Sequence, residues 1–176
     1  MTKISAPAAY AEWLPLIELF RDGDDAVLPA MQSGRIEWTN VVAERWTTRM
    51  AEAFKVRLEN VSRQLQTAMD QAGGDAFAVS KAMLAARRAL SPLRVAAELP
   101  CLPEHVHNHF SGEVARFAAQ TQESLERSAK KIRSDGGAML KSIRDTTLTA
   151  IESPPANPEP PSDSSPPSAR GRRVLL

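Results

Sequence analysis

A ten-residue stretch, CLPEHVHNHF at positions 101–110, holds the single cysteine of the chain and all three of its histidines. Thiolate and imidazole are ligands that zinc favours in proteins, so this composition raises the question of a metal site. On a helix, His105 and His109 lie four residues apart on one face, whereas His107 points away from them. Cys101 precedes this helix and could turn toward His105, with Glu104 as a fourth group. The candidate metal ligands are therefore Cys101, His105 and His109.

The same stretch has the pattern of an ordinary helix start. Pro103 is typical of the first position of a helix, and Glu104 would place a carboxylate at the positive end of the helix dipole. Val106 and Phe110 then begin an apolar stripe, and Cys101 is expected to be a small buried apolar residue. We therefore favour a helix start over a metal centre, and we predict no metal and no cofactor.

No recognisable enzyme motif accompanies these residues. The sequence contains no GxSxG, P-loop or GxGxxG pattern. The neighbouring carboxylates Asp24 and Asp25 follow Gly23, which is typical of a turn and a helix cap. A pairing of Cys101 with a nearby histidine would be too local for the usual layout of cysteine hydrolases. The sequence therefore predicts a non-enzymatic protein.

The composition favours closely packed helices. Apolar residues make up 43% of the chain and aromatic residues only 5%, which suits a core of Leu, Val, Met and Ala. The formal net charge is +1, so no overall field indicates a nucleic-acid binder. One cysteine permits no internal disulfide, and we recognise neither a secretory signal nor an apolar run long enough to span a membrane. We expect a cytoplasmic protein.

Residues 1–37 are predicted to form two short helices. The first places four apolar side chains at helical spacing: Trp13, Leu16, Ile17 and Phe20. Because Pro15 is tolerated best in a first turn, this helix is expected to begin near Trp13. The second helix is expected to end near Gly34 and to turn three side chains inward: Val27, Leu28 and Met31.

Residues 38–151 are predicted to form the main bundle, and its first helix is unusually long. Residues 38–72 contain neither Pro nor Gly. Their apolar side chains recur at steps of three or four: Trp38, Val42, Trp46, Met50, Phe54, Leu58, Val61, Leu65 and Met69. This period indicates one helix of about 35 residues, about 50 Å long at about 1.5 Å per residue. Gly73 and Gly74 should end it, and Asp75 should cap the next helix.

Three further helices are expected after this turn. The helix over residues 76–99 should bury an apolar stripe and be kinked by Pro92: Phe77, Val79, Met83, Leu84, Leu90, Leu93 and Ala97. The helix that begins at Pro103 and ends near Arg133 has its own stripe: Val106, Phe110, Val114, Phe117, Thr121, Leu125 and Ile132. The last helix should place four side chains on one side: Met139, Leu140, Ile143 and Leu148.

The predicted fold is therefore all-α. We expect an elongated antiparallel bundle of three to four main helices with coiled-coil-like packing. If the bundle leaves part of the long apolar stripe uncovered, that strip should drive homo-oligomerisation or bind an apolar surface.

Residues 152–176 differ sharply in composition from the rest of the chain. The Pro- and Ser-rich part cannot bury enough apolar surface to fold, so we predict a disordered linker. The linker leads to the sequence RGRRVLL, in which arginines would steer a protein partner and aliphatic side chains would fill small pockets. The predicted partner-binding residues are Arg170, Arg172, Arg173, Val174, Leu175 and Leu176. In layout this tail resembles the targeting peptides of cargo proteins of bacterial shells.

Two alternatives to a helical interaction or scaffold protein remain open. The size and the Ala-rich amphipathic helices over residues 38–151 resemble phasins, which implies a protein that coats polyester storage granules. The Pro/Ser-rich tail departs from the Ala/Lys-rich tail that this resemblance implies. The second alternative is a nucleic-acid-associated accessory protein that uses a basic run near the end of one helix: Arg127, Lys130, Lys131 and Arg133. Cations at a helix C-terminus also complement its dipole without any ligand.

Overall fold

The structure, a computed structural model, describes residues 5–131 and 136–149. Within these two ranges it contains helices and no strand, which confirms the predicted all-α bundle. The six α-helices are α1 (Tyr10–Arg21), α2 (Leu28–Gln32), α3 (Asn40–Ala72), α4 (Ala76–Ala97), α5 (Glu104–Lys131) and α6 (Gly136–Asp145). A short 3-10 turn, Asp25–Val27, precedes α2. The tail over residues 152–176 lies outside the described residues.

The ends of α3 follow from residues that cap it. The Thr39 hydroxyl accepts a hydrogen bond from the Val42 amide at 3.3 Å, which satisfies one free donor of the first turn. Gly73 ends the helix with φ +55°, a left-handed conformation that glycine adopts without steric cost. Asp75 then caps α4 by accepting from the amides of Phe77 and Ala78. The predicted long helix and its stop are confirmed, with a start at Asn40.

The long helix α3 is at the centre of the core. Its stripe is packed against α1, α4 and α5. The buried members of the predicted stripe are Trp46, Met50, Phe54, Val61, Leu65 and Met69. The side chains of Trp38, Val42 and Leu58 are only half-buried. Most of the stripe is therefore buried against other helices of the bundle.

The remaining helices complete one bundle around α3 and α4. A turn at Gly73 and Gly74 reverses the chain, so α3 and α4 pack as antiparallel neighbours over most of the length of α4. Helix α4 also contacts α2, α5 and α6, while α5 packs on α6 and, less extensively, on α3. One connected set of buried apolar side chains runs through all of these helices.

The start of α1 was predicted wrongly. The helix begins at Tyr10, three residues before Trp13, and Pro15 lies in its interior. The Glu12 carboxylate explains the early start, because it accepts hydrogen bonds from the amides of Ala8 and Ala9 at 2.6 and 3.2 Å. These bonds, Ala8 first, lower the pKa of Glu12 from its ordinary value.

Three further corrections concern α4 and α5. Phe77 was expected in the core but is 79% exposed. The buried face of α4 begins at Val79, and two residues on a helix are separated by about 200°, so Phe77 points outward. Helix α4 ends at Ala97 instead of residue 99. Helix α5 begins at Glu104, and the Pro103 carbonyl accepts from the Val106 and His107 amides.

Candidate interaction site

An aromatic cluster fixes the mutual position of α1, α3 and α5. The Trp46 ring makes edge-to-face contacts with Trp13, Trp38 and Phe110 at centroid distances of 5.7, 5.5 and 6.3 Å. The Phe54 ring stacks on Phe110 at 4.6 Å. Since these rings come from α1, α3, α5 and the segment just before α3, the cluster joins the N-terminal part of the chain to the bundle. The few aromatic residues of the chain are thus concentrated on the predicted apolar stripes and in the core.

The indole groups of two tryptophans also hold loops in place. Trp13 Nε1 donates a hydrogen bond to the Arg35 carbonyl at 2.9 Å. Trp38 Nε1 donates to the Cys101 carbonyl at 2.7 Å and so pins the turn between α4 and α5 to the start of α3. The first residue of the His/Cys stretch thus has a structural contact through its backbone.

The structure does not bring Cys101, His105 and His109 together as a ligand set. Across residues 5–131 and 136–149, no three His, Cys, Asp or Glu side chains are grouped closely enough to hold a metal ion. Both His105 and His109 are exposed, and His109 Nε2 lies 4.0 Å from a Glu113 carboxylate oxygen. Burial raises the pKa of the Cys101 thiol, which keeps it protonated at neutral pH and weakens it as a ligand or nucleophile.

Arg57 is a buried charged residue that the sequence analysis did not single out. Its Nη1 donates to the Phe20 carbonyl at 3.0 Å and to an Asp25 carboxylate oxygen at 2.6 Å. The guanidinium also lies over the Phe20 ring, 4.4 Å from its centroid. These contacts attach the turn after α1 to α3. A signal was present in the sequence, because Arg57 lies three residues after Phe54 and four before Val61, on the apolar stripe itself.

A group of hydrogen bonds fixes the chain where it leaves α6. The side chain of Gln122, on α5, donates to the Ile143 carbonyl at 2.9 Å and accepts from the Leu148 amide at 3.3 Å. From α4, Arg94 donates to the Leu148 carbonyl at 2.6 Å. Leu148 is itself fully buried. We call these contacts of Arg94, Gln122 and Leu148 the exit clamp, since the chain continues from here to residues 150–176.

A large apolar-floored depression of the described chain is a groove between α3 and α5. It has a volume of about 650 Å³. Its lining comes from both helices: Ala51, Glu52, Lys55, Leu58, Glu59 and Ser62 on α3, and Glu113, Arg116, Phe117 and Gln120 on α5. We call it the α3/α5 groove.

The α3/α5 groove continues along both helices. A second depression of about 280 Å³ shares Ser62, Phe117 and Gln120 with it and extends to Leu65 and Leu125. Half-buried Leu58 and Phe117 form the apolar floor, and charged side chains stand on the rim. A comparably large depression between α1 and α3 has mainly charged and polar walls, including Glu44, Arg45 and Arg49. The α3/α5 groove is therefore the better apolar binding surface.

The structure bears on part of the predicted basic run. Arg127 and Lys130 are exposed near the end of α5, and Arg127 lies 3.6 Å from Glu123. The side chain of Lys131 and all of Arg133 are outside the described residues.

The predicted partner-binding residues lie in the tail, outside the described residues. No helix in residues 5–131 or 136–149 combines the length and apolar content that a membrane crossing requires. A scan against models of known protein families found no match, and searches of curated proteins and of solved structures found no similar protein.

Proposed function

We propose that the protein is a non-enzymatic helical interaction protein that binds a protein partner through residues 170–176. The bundle is the rigid body, and the segment with Arg170, Arg172, Arg173 and the three following aliphatic residues is the docking peptide. The observation that carries this proposal is the exit clamp, which holds the chain firmly against α4 and α5 just before the Pro/Ser-rich sequence begins. A peptide on such a linker has a fixed origin and a long reach.

The polar groups inside the bundle make structural contacts, which supports the same proposal. Arg57, Gln122 and the two hydrogen-bonding tryptophan side chains connect one element to another. The raised pKa of Cys101 leaves a thiol of low reactivity. These groups stabilise a scaffold, which is what a docking protein requires.

The burial of the α3 stripe favours a docking protein over a phasin-like coat. A coating protein would have to present its apolar helix face to the granule. In the bundle, Trp46, Met50 and Phe54 are fully buried, so that face is already occupied by α1, α4 and α5. The docking function needs no such opening of the bundle.

Affinity purification of tagged full-length protein beside a variant that lacks residues 152–176 tests the proposal. We expect the full chain to recover a specific partner from a cytoplasmic extract and the shortened chain to lose it. A triple charge reversal, R170E/R172E/R173E, should have the same effect because it removes electrostatic steering and specificity. The matched control replaces Ser162, Ser164 and Ser165 by alanine in the linker and should keep the partner. Equal recovery by the shortened chain would refute the proposal.

A further inference from the structure

We propose that the α3/α5 groove binds residues 170–176 of this same chain, so that the docking peptide has a resting site on its own bundle. This inference rests on the proposed function, in which that segment is the docking peptide. A partner would then have to displace the segment from the groove before binding it. Apolar fit, charge and reach each favour this occupant of the groove.

The apolar fit comes from side chains that the bundle leaves half-covered. Leu58 belongs to the α3 stripe and Phe117 to the α5 stripe, yet both remain half-buried and line the groove between the two helices. Helical grooves of this kind take apolar anchors from a short segment. Residues 174–176, Val-Leu-Leu, supply three adjacent aliphatic side chains for this floor.

The charges on the rim suit the arginines that precede these aliphatic residues. Carboxylates stand on both walls, with Glu52 and Glu59 on α3 and Glu113 on α5. The segment carries three guanidinium groups, which can form bidentate hydrogen bonds with these carboxylates. Lys55 and Arg116 also line the groove, and they can meet the linker acids Glu159 and Asp163. Such exposed pairs contribute mainly register and orientation.

The exit point of the chain lies within reach of the groove. Thr149 lines a small cavity with Ala115 and Ala118 of α5, while Arg116 and Phe117 of the same helical turns line the groove. The chain therefore has only to pass around α5, a helix about 10–12 Å in diameter with its side chains. A linker of about 20 residues spans about 25 Å as a coil and about 60 Å when extended.

The same tether removes the need for high intrinsic affinity. A segment held by a short flexible linker has an effective concentration in the millimolar range near its site. Three aliphatic contacts and a few charge pairs are then enough to keep the groove filled. A free partner with a better site for the segment can still displace it, because the tethered contact is weak.

Paramagnetic relaxation enhancement in the full-length protein tests this inference. The variant C101A/G171C carries one thiol, to which a nitroxide is attached beside the arginines. We expect selective loss of amide signal along residues 51–66 of α3 and 113–125 of α5, with little loss in α1. Uniform weak broadening over the whole bundle, or broadening centred on another face, would overturn the proposal.

Matched charge reversals show whether the groove is the cause. In the labelled background, Glu59→Lys on the rim and L175S/L176S in the segment should each relieve the signal loss. Glu18→Lys places the same charge change on the exposed face of α1 and should leave the broadening in place. Relief by Glu18→Lys equal to that by Glu59→Lys would count against a specific site.

A mixing experiment separates binding within one chain from binding between two chains. Spin-labelled protein without isotope is mixed with isotope-labelled protein without a nitroxide. We expect no signal loss at the groove of the isotope-labelled chain, and selective loss there would assign the groove to a second copy and overturn the proposal. The purification experiment gives a separate result. If the tail recovers a partner but does not contact the groove, only this inference is refuted. If the tail contacts the groove but recovers no partner, only the proposed function is refuted.

Discussion

Arg57 shows how one charged residue can be accommodated on a buried helix face. In the folded protein, a carbonyl, a carboxylate and an aromatic ring take the place of the water around its guanidinium. A buried charge that loses such partners is costly, whereas an exposed ion pair contributes little. The contacts at Arg57 therefore matter more for folding than the other ion pairs of α3.

We predict that Arg57→Ala lowers the free energy of unfolding by about 2–3 kcal/mol, because the Phe20 carbonyl and Asp25 lose a charged donor. Arg49→Ala is the matched control on the same helix. Arg49 pairs with Glu52 at 3.6 Å while both side chains are more than half exposed, so its loss should cost at most about 0.5 kcal/mol. Urea denaturation measures both values, and equal losses would contradict the role given to Arg57.

Two glycines give opposite expectations for the same substitution. A Cβ on Gly34 would lie 2.6 Å from a ring carbon of buried Trp13 and 2.8 Å from the Pro7 ring. We therefore predict that Gly34→Ala destabilises the protein by about 1–3 kcal/mol through overpacking. Gly112 lies in α5 with open space around it, so Gly112→Ala should stabilise by about 0.5–1 kcal/mol. Thermal unfolding of both variants shows whether each substitution raises or lowers the stability. A stabilised Gly34→Ala would show that Trp13 and Pro7 can move to accommodate the added Cβ.

At the scale of the residue, the sequence was informative about helix caps and less so about long-range contacts. The helix start after Pro103 followed from local chemistry, since Pro, Glu and the apolar spacing act within one turn. The partners of Arg57, Trp38 and Gln122 lie 21 to 63 positions away, and no local rule selects them. An arginine on an apolar stripe was the one visible hint.

At the scale of the element, helix α6 depends on contacts with its neighbours. It has only ten residues, too few for an isolated helix to be stable in water. Buried Met139 and Ile143 pack it on the bundle, and the exit clamp holds its C-terminal end. Substitution of Gln122, on α5, can therefore weaken the attachment of α6 without removing an apolar side chain from the core.

We predict that Gln122→Ala loosens α6 and the residues up to Leu148. Loss of about two hydrogen bonds, each worth about 1 kcal/mol, should speed amide hydrogen exchange there by about 5- to 30-fold. Gln120→Ala, two residues earlier on an exposed position of α5, is the control and should leave exchange unchanged. Exchange measured by mass spectrometry on residues 136–149 decides the matter. Unchanged exchange in Gln122→Ala would mean that apolar packing alone holds α6.

Helix boundaries were predictable where a single cap determined them. Thr39, Gly73 and Asp75 act through the backbone groups of one turn, and these ends were expected to within two residues. Pro15 alone does not predict the start of α1, because the Glu12 carboxylate satisfies the first amides and lets the helix begin before the proline. Phe77 is exposed because it lies about 200° around the helix from buried Val79, a helix phase that the predicted stripe did not respect.

At the scale of the molecule, one core joins the short N-terminal helices to the main bundle. The aromatic cluster brings Trp13 of α1 against Trp46 of α3, and Trp46 against Phe110 of α5. The division of the sequence at residue 37 therefore does not separate two cores.

We predict that the bundle unfolds as one cooperative unit. Tryptophan fluorescence reports on Trp13, Trp38 and Trp46, whereas far-ultraviolet circular dichroism reports on all helices. Because the tryptophans lie in the shared core, the two transitions should coincide during urea denaturation. An earlier fluorescence transition would show that the segment before α3 detaches first.

The α3/α5 groove could not be foreseen from the sequence. The sequence predicts apolar stripes on α3 and α5 and leaves open whether part of the α3 stripe stays uncovered. In the structure, Leu58 of α3 and Phe117 and Leu125 of α5 are half-buried. The groove lies between the two helices where Leu58 and Phe117 stay half-covered. The angle between two helices depends on the packing of every other helix around them, and a hydrophobic period does not encode it.

The turn at Gly73 and Gly74 offers a practical advantage. Both glycines have positive φ angles, and nothing lies within 4 Å of where a side chain would begin. Lengthening a surface loop costs little, because closure entropy grows only with the logarithm of loop length. A small fluorescent domain or an epitope grafted between these two positions should leave the bundle intact, which provides a handle for imaging the protein in living cells while both termini stay native.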